Sequence, residues 1–368
     1  MFISGCITNW IVKSHELYLS SNRLSKVPVD SPASVLVVQT AFIGDVVLAL
    51  CLVQSVKEAW PQSEIDVMVR PPSDDLLKNH TAIRDVIVYD KQGKQRGFQH
   101  FFQLANQLKE NHYDIAFIPH RSFRSGILCF MAAIPARVGF GRGGGRLFHT
   151  KLVEFPEYLH EIERNLRLLT AVTPVGSPVL PRIFSDQQDI KLVDNLIGEV
   201  TDKELIALAP GSVWFSKRWL EEYFTELGKM CTADGYQIIL IGGREDESLC
   251  ERIGTGIGDD CLNLAGAASL RQTVELLSRC SVLVTNDSAP THLGSAAGTK
   301  VLTIFGSTDE RFGFAPYGPN GRHIGIDLYC RPCTDHGKQR CPEKHFRCMK
   351  EITPKMVFDE LTELLRLN

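Results

Sequence analysis

Between residues 281 and 305 the chain runs from a β-branched segment through a polar turn into a short helix and on to a second apolar segment. That order admits little except a parallel strand–helix–strand unit. Residues 281–284 form the first strand, Asp287 or Ser288 is a helix N-cap, Pro290 suits the first helical turn, Gly298 ends the helix, and residues 301–305 form the second strand. In such a unit the first-turn N–H groups and the positive end of the helix dipole look out from the carboxyl edge of the sheet, where a diphosphate can settle. His292, about one turn in, adds a further donor. The plainer alternative is an ordinary capped α/β turn.

The same alternation extends over most of the chain. Strands are predicted at 35–38, 65–69, 86–89 and 115–118, with helices at 45–60, 101–110 and 126–133. Repeated βα units of this kind imply a parallel sheet covered on both faces. A stretch rich in Pro and Gly, Thr173-Pro174-Val175-Gly176-Ser177-Pro178-Val179-Leu180-Pro181, breaks the pattern and reads as a linker. The pattern then resumes, with strands at 205–209 and 237–241 and helices at 220–233, 245–253 and 270–278 ahead of the 281–305 unit. The expected organisation is a leader (1–32), a first Rossmann-like domain (33–172), a linker (173–184), a second Rossmann-like domain (185–353) and a last helix (354–368) packing back on the first domain. The fold class is therefore α/β, with two doubly wound domains facing a central cleft, where open parallel sheets bind their ligands.

Composition agrees and excludes several classes. A chain of 368 residues that is 44% hydrophobic supplies two cores, and a formal charge of −3 argues against a general nucleic-acid binder. No apolar run approaches the length of a membrane span, and the first thirty residues lack a signal-peptide pattern, so a cytoplasmic protein is expected. Most of the eleven cysteines fall in apolar segments as small buried hydrophobes. Four are bunched as Cys330-x2-Cys333-x7-Cys341-x6-Cys348, a spacing open to a structural zinc site or a redox pair, with His336 and His345 as substitute ligands.

Several side chains stand where chemistry is done. Asp45 follows Gly44 at the turn from the first strand into its helix. There it is either a cap or a base, set outside the apolar stripe of an amphipathic helix. Gly44 allows a tight turn and the close approach of a ligand. Lys217 lies in the loop leaving residue 209, after Gly211 and Ser212, within reach of the cleft, where it can neutralise charge on a departing nucleotide. Arg121, Arg124, Arg142 and Arg146 lie in two basic loops of the first domain, candidate grips for an anionic ligand or plain mobile loops. The glycines at 139–145 do not join a strand to a phosphate-binding helix, which excludes a dinucleotide fingerprint. His160-Glu161-Ile162-Glu163-Arg164 opens a helix of alternating charge and is expected to be salt-bridged surface.

Taken in order, Val35-Leu36-Val37-Val38-Gln39-Thr40-Ala41-Phe42-Ile43-Gly44-Asp45, the loop from Pro210-Gly211-Ser212 to Lys217-Arg218-Trp219, and Thr285-Asn286-Asp287-Ser288 to His292-Leu293 resemble glycosyltransferase family 9, the bacterial lipopolysaccharide heptosyltransferases and their relatives. The resemblance runs from about residue 33 to 367 and takes in 160–169 and the tail Cys348-Met349-Lys350-Glu351-Ile352-Thr353-Pro354. It implies a GT-B fold and an inverting transfer needing no metal or other cofactor. The first domain would take the acceptor, and the second would bind an ADP-heptose-like donor. By the same resemblance Asp45 matches the catalytic base, Lys217 the donor-phosphate lysine, and Asp287, Ser288, Ala289 and His292 the diphosphate turn, supported by Gly44, Gly211 and Ser212. Phe42-Ile43 and Ala289-Pro290 depart from the family's commonest forms.

The expected function is transfer of heptose or a related sugar to a lipid-linked, anionic, lipopolysaccharide-type acceptor at the inner-membrane surface, with Arg121, Arg124, Arg142 and Arg146 suited to that charge. Two other readings predict different behaviour. A nucleotide-sugar epimerase or hydrolase would turn over donor without acceptor. A zinc- or redox-responsive binding protein built on the four cysteines would lose its partner together with its metal.

Overall fold

The computed structural model describes residues 31–91, 93, 95–198 and 203–366, so almost all of the leader lies outside the described residues. Two six-stranded sheets, parallel throughout, make up the framework. The first contains β1 (Ser34–Val38), β2 (Glu64–Val69), β3 (Asp85–Val88), β4 (Ile115–Ile118), β5 (Ala136–Phe140) and β6 (Lys151–Val153), ordered β3-β2-β1-β4-β5-β6. The second contains β7 (Leu205–Ala209), β8 (Gln237–Leu240), β9 (Cys261–Asn263), β10 (Val282–Asn286), β11 (Lys300–Ile304) and β12 (Gly321–Ile324), ordered β12-β11-β10-β7-β8-β9. Counted within its own unit, each sheet has the order 3-2-1-4-5-6, so each is a Rossmann-like sheet whose strand order reverses beside its first strand. The central strands are buried at every position, as continuous apolar runs covered on both faces must be.

The helix after β1, α1 (Ile43–Ala59), differs from the amphipathic element expected. Gly44 and most residues from Val46 to Val56 are buried on every side, because α4 (Glu161–Thr170) packs on it from the first unit and α9 (Ala289–Ala297) from the second. It is the central rod of the molecule. The segment leaving the first unit runs along the same helix, where Gln54 takes the Arg182 N–H (2.9 Å) and donates to the Leu180 carbonyl (3.3 Å).

The last helix, α11 (Pro354–Arg366), corrects the expectation that it packs back on the first domain. Val357, Leu361 and Leu364 are fully buried in the core of the second unit, against β10, β11 and β12. Its apolar stripe faces the sheet from which it has just emerged. Residues 139–146 are also more ordered than a loop: Gly139 and Phe140 end β5, and a short 3-10 turn, Gly144–Phe148, follows.

Candidate active site

The two points at which strand order reverses face each other, and the sequence-derived residues gather there. Asp45 leaves the carboxyl end of β1, Lys217 follows β7, and Asp287, Ser288, Ala289 and His292 lie where β10 turns into α9. The two walls touch: a Cβ built on Gly44 would lie 2.6 Å from Cδ2 of His292. Gly44 thus provides the expected close approach, to a histidine of the other unit rather than to a ligand.

Asp45 is half-buried in the first turn of α1, its carboxylate accepting the Phe42 N–H at 3.1 Å. Burial pushes its pKa above the ordinary carboxylate range, opposed by that hydrogen bond and by the charges of His336 and Arg70. The residue thus has the geometry of a cap together with a carboxylate of raised pKa. Beside it lies Glu161, 7% exposed, bonded to Arg164 at 3.0 Å and pushed up to about 7 by burial and then by Asp45.

Residues 160–164 are therefore not salt-bridged surface. Glu161 N–H donates to the Gly313 carbonyl (2.8 Å), His160 Nε2 lies 2.8 Å from the Ala315 carbonyl, and the His160 ring packs on Tyr317 with centroids 4.6 Å apart. These residues form a seam between the units. Because His160 Nδ1 accepts the Ile162 N–H (3.2 Å), Nε2 carries the proton and donates to Ala315.

On the opposite wall, Lys217 Nζ is 2.6 Å from Asp287 Oδ2, which also accepts the Thr308 hydroxyl at 2.6 Å; both charged side chains are nearly buried. The Asp287 carboxylate holds the lysine in place and is not itself an anion's partner. Ser288 is the N-cap of α9, yet its hydroxyl turns to the Asn286 carbonyl (3.3 Å), so no side chain closes the helix start. First-turn N–H groups of this kind are available to a ligand oxygen. His292 is buried and pushed down to about 3 by burial, reinforced by His160 and Lys217, so its imidazole is neutral.

Gly211 and Ser212 serve the loop that carries Lys217. A Cβ at Gly211 would collide with the Asp246 carboxylate, and the Ser212 carbonyl accepts Arg218 Nε at 2.7 Å. Asn286 ties this loop to β10, accepting the Trp219 N–H and donating to the Pro210 carbonyl, each at 2.8 Å.

The four arginines divide. Arg121 and Arg142 both lie over the ring of Phe155, 4.9 and 5.8 Å from its centroid, where Arg164 also stands at 4.9 Å; Arg142 pairs with Glu157. Arg124 instead stacks on Tyr89 and Phe101 (5.4 and 5.3 Å), and Arg146 is exposed in the 3-10 turn. Sequence reasoning missed Arg70, which lies over Phe42 at 5.2 Å, and Lys91, which donates to the Thr40 carbonyl at 3.0 Å. It also missed Thr308 and placed Glu161 on a salt-bridged surface. A usable signal existed for Arg70 alone, since it directly follows β2 at the ligand-binding edge of the sheet.

A carboxylate of raised pKa on one wall and a lysine beside a helix N-terminus on the other stand across two Rossmann-like sheets, an arrangement suited to group transfer. Residues 101–346 match the model of glycosyltransferase family 9 (heptosyltransferase). The chain is 27% identical over 349 residues to lipopolysaccharide heptosyltransferase 2 of Salmonella typhimurium, covering 90% of this chain and 98% of that protein. Among solved structures, the E. coli ADP-heptose lps heptosyltransferase II superposes with a TM-score of 0.75 at 24% identity, covering 90% of this chain and 98% of the other. The family 9 glycosyltransferase of Veillonella parvula superposes with a TM-score of 0.82 at 21% identity, covering 90% and 97%. The fold is GT-B. The protein belongs to glycosyltransferase family 9 and is a glycosyltransferase.

Proposed function

We propose that the enzyme moves a heptose from ADP-heptose to a lipopolysaccharide-core acceptor, with inversion at the anomeric carbon and no metal ion in the reaction. The observation that carries this reading is the contact of the two walls at Gly44 and His292, with a carboxylate of raised pKa on one side and a lysine on the other. The chain's similarity to lipopolysaccharide and ADP-heptose heptosyltransferases supports the sugar, the nucleotide and the acceptor class.

Asp45 takes the proton of the acceptor hydroxyl as that oxygen attacks the anomeric carbon from the face opposite the diphosphate. Lys217 and the N-terminus of α9, at Ser288 and Ala289, receive the charge that builds on the departing ADP, and neutral His292 adds a donor. Asp287 and Thr308 position Lys217. Arg121 and Arg142 grip acceptor anions, Arg146 extends that surface, and Arg124 supports the wall behind it. Gly211 and Ser212 shape the lysine loop. Among the described residues no helix is long and apolar enough to cross a membrane. In this reading the enzyme works in the cytoplasm and meets its lipid-linked acceptor at the inner-membrane surface.

The test is a panel of ADP-, GDP- and UDP-activated sugars offered with heptose-deficient lipopolysaccharide cores, read by mass spectrometry and anomeric NMR. Transfer from ADP-heptose to the core with inverted configuration, unchanged by EDTA added at the moment of assay, is the expected result. Hydrolysis or epimerisation of the donor without acceptor, or dependence on added magnesium, would overturn the reading.

A further inference from the structure

The proposed transfer leaves the cysteine-rich segment without a role. Cys330, Cys333, Cys341 and Cys348 come from separate turns after β12, and Cys348 lies in α10 (Arg347–Lys350), yet all four line one small cavity of about 10 Å³, the room of a single water or ion. Cys348 is buried and the other three are half-buried. We propose that these four cysteines form a tetrathiolate site for a zinc-class divalent ion, and that this ion fastens the cysteine-rich loop to the loop carrying Lys217.

Three observations support it. First, the four thiols converge on one cavity although they are spread over nineteen residues of chain, and His345 lines it with them. A cation in their midst would take each sulfur as a thiolate ligand, the thiol proton passing to solvent. Second, a donor already faces the cluster. His345 Nδ1 accepts the Arg347 N–H at 3.0 Å, so Nε2 bears the proton, and it lies 3.8 Å from Cys330 Sγ. A histidine N–H aimed at a sulfur is the kind of outer-shell partner that stabilises a ligand thiolate, which gives His345 a supporting role instead of a ligand's. Third, the other described cysteines are scattered, most of them buried singly in the two cores.

Among the described residues no three ligand side chains already stand together at metal-binding distance. Binding therefore draws the sulfurs inward from the cavity wall, to about 2.3 Å from the ion. What that tightens is the donor side of the site. Ser216 and Lys338 exchange backbone and hydroxyl bonds (Ser216 N–H to the Lys338 carbonyl, 2.9 Å; Lys338 N–H to Ser216 Oγ, 2.8 Å), and Ser216 Oγ lies 2.8 Å from Ser307 Oγ. Ser216 adjoins Lys217, and Ser307 adjoins Thr308, the two residues that meet at Asp287.

The experiment uses the full chain purified without a metal-affinity tag. Elemental analysis is expected to find about one zinc or iron per chain, retained in Cys261→Ser and falling to roughly a tenth in the Cys330→Ser/Cys348→Ser double variant. Cobalt(II) replacing the native ion should give intense thiolate-to-metal absorption in the near ultraviolet. His345→Ala should hold the ion roughly 10–100-fold more weakly. In the metal-free protein, amide exchange over residues 213–217 should accelerate. Wild-type protein that carries no stoichiometric metal and develops no cobalt–thiolate band overturns the site, as do disulfides among the four cysteines in the freshly isolated chain. Unchanged exchange after metal removal overturns the fastening role. The wild-type measurements decide even if the double variant fails to fold.

Discussion

Asp45 is held by the same hydrogen bond that would make it an ordinary helix cap, and its chemistry comes from burial. Asp45→Asn keeps the capping geometry and removes the base. Transfer should fall about 10²–10⁴-fold while ADP affinity, read by calorimetry, stays near that of the parent; near-normal turnover would reduce the residue to a cap. Lys217→Ala should weaken ADP binding and turnover together, the rate falling roughly 10²–10³-fold, with Lys217→Arg recovering only part. Normal ADP affinity and kinetics in Lys217→Ala would remove the lysine from the donor site. Glu161 gives a pH signature in stability. Its folded-state pKa of about 7 stands above its ordinary 4.5, so the proton it holds stabilises the native protein fully below 4.5, and that contribution is lost as pH rises towards 7. Relative to Glu161→Gln, whose amide does not titrate, the parent should lose unfolding free energy across that window. Parallel pH profiles in denaturant titrations would show that the carboxyl titrates normally.

At the scale of elements, α1 determines how the two units meet. It is packed by α4 from its own unit and α9 from the other, and Gly44 is the point where the helix start comes against His292. Gly44→Ala inserts a methyl group where the imidazole edge already stands 2.6 Å away, so α1 and α9 must separate or His292 must turn. Overpacking of that kind costs about 1–3 kcal/mol. Chemical denaturation should show the loss, and ADP affinity should fall with it because His292 is displaced; a variant as stable and active as the parent would mean the wall is soft. The seam at His160 and Glu161 is the second joint. Its polar groups bond to the carbonyls of Gly313 and Ala315, and Phe314 between them packs against the His292 ring at 6.3 Å. The start of α4 and His292 thus share one contiguous set of contacts.

Across the whole molecule, Asp45 with Arg121 and Arg142 and the turn at Ser288 belong to different sheets, so under the proposed roles defects in acceptor and donor binding should separate. Alanine at both Arg121 and Arg142 should raise the acceptor's apparent KM, most at low ionic strength where charge attraction is least screened, and leave ADP binding nearly unchanged. Arg124→Ala should act instead through stability, since its guanidinium is stacked between Tyr89 and Phe101. A folded Arg121/Arg142 double variant that uses phosphorylated acceptor as the parent does would separate this cluster from acceptor binding.

The alternation of strands and helices was written locally, in β-branched runs such as residues 35–38 and 282–285 and in the turn residues between them. It was enough to predict two doubly wound sheets, and Asp45, Lys217 and His292 stand out as candidates because they follow strand ends, where such sheets bind ligands. The short strands β6, Lys-Leu-Val, and β12, Gly-Arg-His-Ile, lack an apolar run of their own and become strands only because β5 and β11 offer them a paired edge. The same limit applies to residues 160–164. Alternating charge reads as solvated surface until another unit covers it, and only the tertiary structure brings Gly313 and Ala315 there. Whether α1 is half-exposed or buried all round, whether Asp287 faces a phosphate or a lysine, and whether four cysteines share one cavity depend on which distant segments arrive beside them. Local sequence fixes the backbone's periodicity, whereas burial and charge pairing, and therefore pKa, are set by neighbours that are remote along the chain.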